Sequence, residues 1–193
     1  GKELVFAVPS GNFGNLTAGL FAREMGLPVG GFIAANNANH VVFDYLQTGQ
    51  YIPRPSVETL ANAMDVGAPS NFARILDLYE NNNTLISEII RGFWYSDTQI
   101  AEIVKSVYQN SGYLCDPHGA CGYQALSESL QKNQVGVFLE TAHPAKFLET
   151  MEKIVGKEAL VFPEKLSHFL KGEKRSIELN SDYNVFKEFL IKE

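Results

Sequence analysis

Six residues, Ser10-Gly11-Asn12-Phe13-Gly14-Asn15, combine two glycines with three side chains that can donate hydrogen bonds. Glycine lets a backbone approach an anion closely, and the first N–H groups of a helix carry the positive end of its dipole. The turn therefore reads as an anion cradle, and a phosphate suits it. Two nucleotide patterns do not fit. A dinucleotide fingerprint needs a third glycine and an acidic residue about 20 positions on. This turn has Gly11 and Gly14 only, and the next strand runs out into Ala34-Ala35-Asn36-Asn37. A P-loop ends in Gly-Lys-Ser/Thr, whereas Asn15-Leu16-Thr17 holds no lysine. The competing reading is a glycine turn packed only for a tight corner. Further along, Asp116 and His118 form an Asp-x-His pair. It reads as a helix-entry turn or, less readily, as an acid/base pair; no third ligand is spaced for a metal. Cys115 and Cys121 lack CxxC spacing and read as two free thiols in a reducing compartment.

These residues need elements to hold them. Leu4-Val5-Phe6-Ala7-Val8 is a short apolar run closed by Pro9-Ser10-Gly11, the pattern of a buried strand. Phe13 to Gly26 has helical spacing through Leu16, Leu20 and Met25, and Phe32-Ile33-Ala34-Ala35 reads as a second buried strand. Strand, glycine turn, helix and strand make a βαβ unit, which implies a parallel sheet covered on both faces. The turn then lies at the C-terminal edge of the sheet, where ligands bind in open parallel sheets.

The pattern downstream predicts helices over 41–47, 72–80, 84–91, 97–110, 120–132, 146–155 and 183–192. Ser96 or Asp97 caps the fourth of these. Residues 50–71 hold Pro53, Pro55, Gly67 and Pro69, so they read as loop with a short helical piece near Leu60. Val135-Gly136-Val137-Phe138-Leu139 reads as a third buried strand, followed by the turn Thr141-Ala142-His143-Pro144. Val161-Phe162-Pro163 and Ile177-Glu178-Leu179 give no firm element, and Lys171 to Arg175 reads as a solvated charged loop. Apolar core material begins at Leu4 with no initiator Met, which reads as a chain cut at a strand edge.

Composition sets outer limits. The chain has 193 residues, 45% hydrophobic and 20% charged, with a net charge of −6. That is ordinary for a soluble globular protein and gives no electrostatic footprint for nucleic acid or anionic membrane. No run approaches the length of a membrane span and no secretory signal is visible, so the cytoplasm is the expected location.

Five blocks, in order, resemble threonine synthases of the bacterial and fungal type. They are Pro9-Ser10-Gly11-Asn12-Phe13-Gly14-Asn15-Leu16-Thr17-Ala18-Gly19, Phe32-Ile33-Ala34-Ala35-Asn36-Asn37-Ala38-Asn39, Leu60-Ala61-Asn62-Ala63-Met64-Asp65-Val66-Gly67-Ala68-Pro69-Ser70-Asn71-Phe72, Asp116-Pro117-His118-Gly119-Ala120-Cys121-Gly122 and Thr141-Ala142-His143-Pro144-Ala145-Lys146-Phe147. One departure is Gly119, where the family more often has Thr. Residues 156–193 carry no such block.

The resemblance implies a fold-type II pyridoxal-phosphate enzyme: an α/β fold, an open mostly parallel sheet with helices on both faces. It implies residues 1–155 as the C-terminal half of that region, with an insertion at about 50–95, and 156–193 as a C-terminal extension with a closing helix. The implied reaction converts O-phospho-L-homoserine and water to L-threonine and phosphate. Gly11, Asn12, Phe13, Gly14 and Asn15 would hold the phosphate of pyridoxal 5'-phosphate, and Thr141 would face its pyridine nitrogen. His143 and Lys146 would meet substrate, against the alternatives of a turn histidine and a solvated lysine. In the family the Schiff-base lysine stands upstream of the glycine turn in a Phe-Lys-Asp context. The nearest lookalike, Phe186-Lys187-Glu188, comes after all the other blocks and reads as surface. No catalytic lysine is therefore expected in this chain. A fragment inactive alone is expected, with the N-terminal portion of the same protein as its partner and self-association through the interface left open. Other fold-type II lyases or dehydratases, and a non-catalytic relative that binds a phosphate ligand, are the alternative readings.

Overall fold

The computed structural model describes residues 1–161, 163–164, 166–167 and 172–191. They fall into two compact units, Gly1–Leu160 and Val161–Glu193.

The first unit is built on a parallel sheet. Strand β1 (Glu3–Pro9) pairs with β2 (Gly31–Asn36) on one side and with β4 (Gln134–Phe138) on the other. Strand β3 (Ile90–Trp94) completes the order β3-β2-β1-β4. All three pairings are parallel, so every strand ends at the same edge. This is the α/β sheet that the βαβ pattern implies.

Alternation along the strands sorts the core into two layers. Val5 and Ala7 of β1, with Ile33 and Ala35 of β2, face one cluster. It is closed by helices α5 (Asp97–Ser111), α6 (Pro117–Ser129) and α7 (Leu148–Val155), through Ile100, Val104, Ala125 and Met151. Val8, Phe32 and Ala34 face the opposite cluster. There they meet Leu16 and Leu20 of α1 (Gly14–Glu24), Val42 and Tyr45 of α2 (Val41–Thr48), Phe72 and Ile75 of α3 (Phe72–Leu78), and Ile86 of α4 (Asn83–Ile89). Helices thus cover both faces.

Local chemistry sets the helix ends. Ser96 closes a capping box with Gln99 at the start of α5, and Gly112 ends it in the left-handed region at φ 71°. Gly49 stops α2 in the same way at φ 72°. Asp116 caps α6 and Pro117 opens it, so this helix starts three residues before the expected Ala120. In loop 50–71 the helical piece is the 3-10 turn Asn62–Met64.

Two expectations are corrected. The helix expected to run through Arg91 ends at Ile89, and the chain passes directly into β3. Leu85, Ile86, Ile89 and Ile90 keep helical spacing, which hides the change of backbone. The strand near Val135 is an edge strand, not a buried one: Val135 is 47% and Val137 38% exposed. An apolar run alone does not distinguish a strand covered on both faces from one with an open face.

In the second unit, α8 (Tyr183–Ile191) is the closing helix. Glu173, Lys174 and Arg175 are exposed and irregular; Phe162, Lys171 and Lys192 lie outside the described residues.

Candidate functional site

The C-terminal edge of the sheet carries the site. Strand β1 exits into Ser10, and the Ser10 N–H still donates to Ala35 O at 3.0 Å. Phe13 then adopts a left-handed backbone, φ 62° and ψ 15°. That conformation is uncommon for an aromatic residue and needs support from its surroundings. Here the ring is buried and packs edge-on to Phe72 at 6.3 Å. The Phe13 carbonyl accepts from the Thr17 N–H at 2.9 Å and from its hydroxyl at 2.6 Å. The backbone N–H groups of Gly11, Asn12, Phe13, Gly14 and Asn15 find no acceptor among the described residues. A run of free amides across a left-handed residue and into a helix start is an anion nest.

The side chains of the turn divide by task. The Ser10 hydroxyl donates to Asn15 Oδ1 at 3.1 Å, and Asn15 Nδ2 donates to Pro9 O at 2.9 Å. Both are engaged within the turn, where the Ser10 hydroxyl spends its one proton and Asn15 Nδ2 one of its two. Asn12 differs: its Oδ1 accepts from the Ser70 N–H at 2.6 Å and hydroxyl at 3.1 Å. Its Nδ2 is left as a donor at an exposed position.

Gly11 is required by the protein's own packing. A Cβ there would stand 2.6 Å from Met64 Cα and 3.1 Å from Ala63 O. The Asn62–Met64 turn thus forms the floor beneath the cradle. Gly11→Ala sets backbone against backbone, and we expect about 1–3 kcal/mol of lost stability in urea unfolding. A Cβ at Gly14 would meet only the Asn71 amide, at 3.4 Å.

That floor is fastened from the far side of the fold. The Ala63 N–H donates to His118 Nε2 at 3.1 Å. With Nε2 accepting, the ring proton sits on Nδ1, which donates to Asp116 Oδ1 at 2.5 Å. Asp116 Oδ1 also accepts from the His118 N–H at 2.7 Å, as the cap of α6. Asp116 and His118 are both buried. Burial alone would raise the Asp116 carboxyl, but the hydrogen bonds from His118 and Glu140 outweigh it and hold it below its ordinary value. The pair is thus a helix-entry turn that also fixes a loop. Among the described residues, no group of three or more His, Cys, Asp or Glu could hold a metal ion.

Strand β4 reaches the same edge. The Leu139 N–H donates to Ala7 O at 3.0 Å, which brings Glu140 and Thr141 alongside the β1 exit. Thr141 is exposed and its hydroxyl has no partner among the described residues. The cap of the following 3-10 turn Pro144–Phe147 is His143, whose Nδ1 accepts from the Ala145 N–H at 3.1 Å. Lys146 is exposed, with Nζ 5.5 Å from the Phe147 ring centroid. Phe147 in turn lies against His118 at 4.7 Å. Cys115 and Cys121 are buried free thiols, and burial pushes Cys115 up to about 12.

Glu140 was not among the residues singled out from sequence. Its Oε1 accepts from the Asp116 N–H at 2.8 Å, and burial followed by the Asp116 carboxyl raises it to about 8. The available signal was Gly119: a Cβ there would collide with the Glu140 carboxyl.

A free-amide cradle at the carboxyl edge of a parallel α/β sheet defines a class of phosphate-cofactor protein. Comparison gives the family: residues 3–140 match the model "Pyridoxal-phosphate dependent enzyme", and the chain belongs to that family. Residues 119–190 match "Threonine synthase, C-terminal". Threonine synthase of Haemophilus influenzae is 43% identical over 190 residues, covering 98% of this chain and 44% of that protein. The crystal structure of threonine synthase from Escherichia coli superposes with a TM-score of 0.86 at 38% identity, covering 99% of this chain and 44% of that one. The pyridoxal-phosphate-bound threonine synthase from Brucella melitensis gives a TM-score of 0.86 at 26% identity, covering 98% and 46%. The chain therefore spans less than half the length of these relatives.

Proposed function

We propose that this chain is the C-terminal portion of a threonine synthase and supplies the phosphate-binding side of its cofactor site. The observation that carries this is the run of N–H groups from Gly11 to Asn15, at the sheet's carboxyl edge, that find no acceptor among the described residues. In this reading residues 1–155 belong to the cofactor-binding region, with the insertion at about 50–95, and 156–193 form an extension.

The five amides bind the cofactor phosphate, and Asn12 Nδ2 adds one donor. The Thr141 hydroxyl would face the pyridine nitrogen and, being uncharged, would not stabilise its protonated form as a carboxylate would. Pyridoxal 5'-phosphate, when bound, supplies an electron sink for carbanions on the substrate. His143 Nε2 and the Lys146 ammonium face the phosphate group of O-phospho-L-homoserine. The lysine that bonds the cofactor comes from the rest of the protein; Lys187 lies in α8 of the second unit. The partner of this chain is accordingly the remainder of the same protein. The open face of β4, with Val135 and Val137, would favour self-association when that remainder is absent. Among the described residues no helix is long and apolar enough to cross a membrane. Buried free thiols suit a reducing cytoplasm.

The test is turnover by the full-length protein that contains this chain. Given O-phospho-L-homoserine, it should form threonine and inorganic phosphate in equal amounts. Formation of a keto acid and ammonia from threonine or serine, with phosphohomoserine untouched, would favour a dehydratase. The 193-residue chain alone should turn over neither.

A further inference from the structure

Two carboxyls meet behind the cradle. Asp116 and Glu140 lie within hydrogen-bonding reach of each other. Asp116 Oδ2 and Glu140 Oε2 are buried, and neither has a hydrogen-bond partner among the described residues. Two adjacent carboxylates with no cation between them are unstable, whereas an acid and a carboxylate sharing one proton satisfy both orphaned oxygens. Asp116 already accepts two bonds from His118, which stabilise its charge. The proton therefore belongs on Glu140.

We propose that Glu140 is a positioning residue: as a carboxylic acid it donates to Asp116, and through Asp116, His118 and Ala63 it holds the floor of the Gly11–Asn15 cradle. Every link but the shared proton is a contact already described. The Asp116 N–H donates to Glu140 Oε1, His118 Nδ1 to Asp116, and the Ala63 N–H to His118 Nε2. Ala63 and Met64 then close against Gly11. Glu140 also immediately precedes Thr141, so one group ties together the two ends of the proposed cofactor site. Gly119 belongs to the same device, because any side chain there would occupy the place of the Glu140 carboxyl.

The titratable groups facing Glu140 are Asp116, Tyr113 and Cys115. Burial raises both the Tyr113 phenol and the Cys115 thiol, so neither ionises before Glu140 does. Glu140, raised from 4.5 to about 8, binds a proton in the folded state that the unfolded chain has lost. Its contribution to stability is complete below the unfolded value of 4.5 and disappears as pH rises to about 8.

The inference rests on the proposed function only for the identity of the anion, and its test contains no cofactor. Backbone amide and glutamate carboxyl resonances of the 193-residue chain are followed by NMR from about pH 5 to 9.5. One carboxyl absent from Glu140→Gln should titrate near 8, and the amides of Ala63 and Gly11 should shift with that midpoint. In Glu140→Gln, whose amide can accept from the Asp116 N–H and donate to Oδ2, those shifts should vanish with the fold intact. Thermal melts of a second pair cover a failure of that variant to fold. Gly119→Ala should melt lower, and Glu140→Ala added to it should restore part of the loss. A Glu140 carboxyl titrating in the ordinary range would overturn the shared proton. Ala63 and Gly11 amides that ignore its titration would overturn the coupling, and a double variant no better than Gly119→Ala would remove Gly119 from it. None of these outcomes depends on threonine production, which alone decides the function.

Discussion

Replacing Phe72 by Ala should cost about 3–5 kcal/mol, the range for emptying an aromatic site in a close-packed core. Phe72 is fully buried at the first position of α3. Its ring touches Tyr45 at 4.9 Å and Tyr51 at 4.8 Å, and lies edge-on to Phe13 at 6.3 Å. Three ring neighbours on separate segments cannot all collapse into the cavity. The consequence for function runs through Phe13. Its left-handed backbone turns the free amides of Gly11 to Asn15, and the buried ring is what holds it there. Loss of Phe72 therefore unfolds the chain at lower urea and also relaxes the cradle. Urea unfolding gives the first effect. Faster hydrogen exchange at Phe13 and Gly14, measured well below the unfolding transition, gives the second. A variant with unchanged exchange there would show that the turn does not depend on this ring.

The sequence displayed the cradle because all of its elements are local. A strand, two glycines and an amphipathic helix lie within a single βαβ unit, and turn chemistry sits on the residues that make the turn. The features it concealed depend on distant partners. Ile90–Trp94 is a five-residue strand entered directly from a helix, so no turn residue marks the change. Its place in the sheet is fixed by pairing with β2. The exposed face of β4 is invisible in an apolar run, since exposure depends on which helices return to cover it. The bonding of Ser10 and Asn15 to one another depends on rotamers that composition does not set. Glu140 was hidden for the same reason: its partner stands 24 residues away. Gly119 was visible as a departure from the family pattern, but its meaning needed the carboxyl placed beside it.

The loop over residues 50–71 looked too long for a connection, and a single carboxylate explains how it is ordered. Asp65 Oδ1 accepts from Asn37 Nδ2 at 2.8 Å, from Asn39 Nδ2 at 3.1 Å and from the Thr59 hydroxyl at 2.7 Å. Its Oδ2 accepts from the Thr59 N–H at 3.0 Å. Asn37 and Asn39 are buried at the exit of β2. Asn39 is further tied to the Val57 backbone through both its amide atoms. Asp65→Ala takes the acceptor from the Thr59 N–H and hydroxyl, while the Asn37 and Asn39 amides keep Thr59 Oγ1, Ala61 O, Asn37 Oδ1 and Val57 O; we expect a loss of about 1–3 kcal/mol. Asp65→Asn should lose less, since one oxygen still accepts, although its amide then faces the Thr59 N–H, donor against donor. The damage should not stay local. The carboxylate stands beside Met64, whose backbone supports Gly11, so a freed loop also withdraws the floor from the cradle. In full-length protein, Asp65→Ala should weaken pyridoxal phosphate binding more than Asp65→Asn does, in the same order as the stability losses. A stability loss with no change in cofactor affinity would separate the loop from the site.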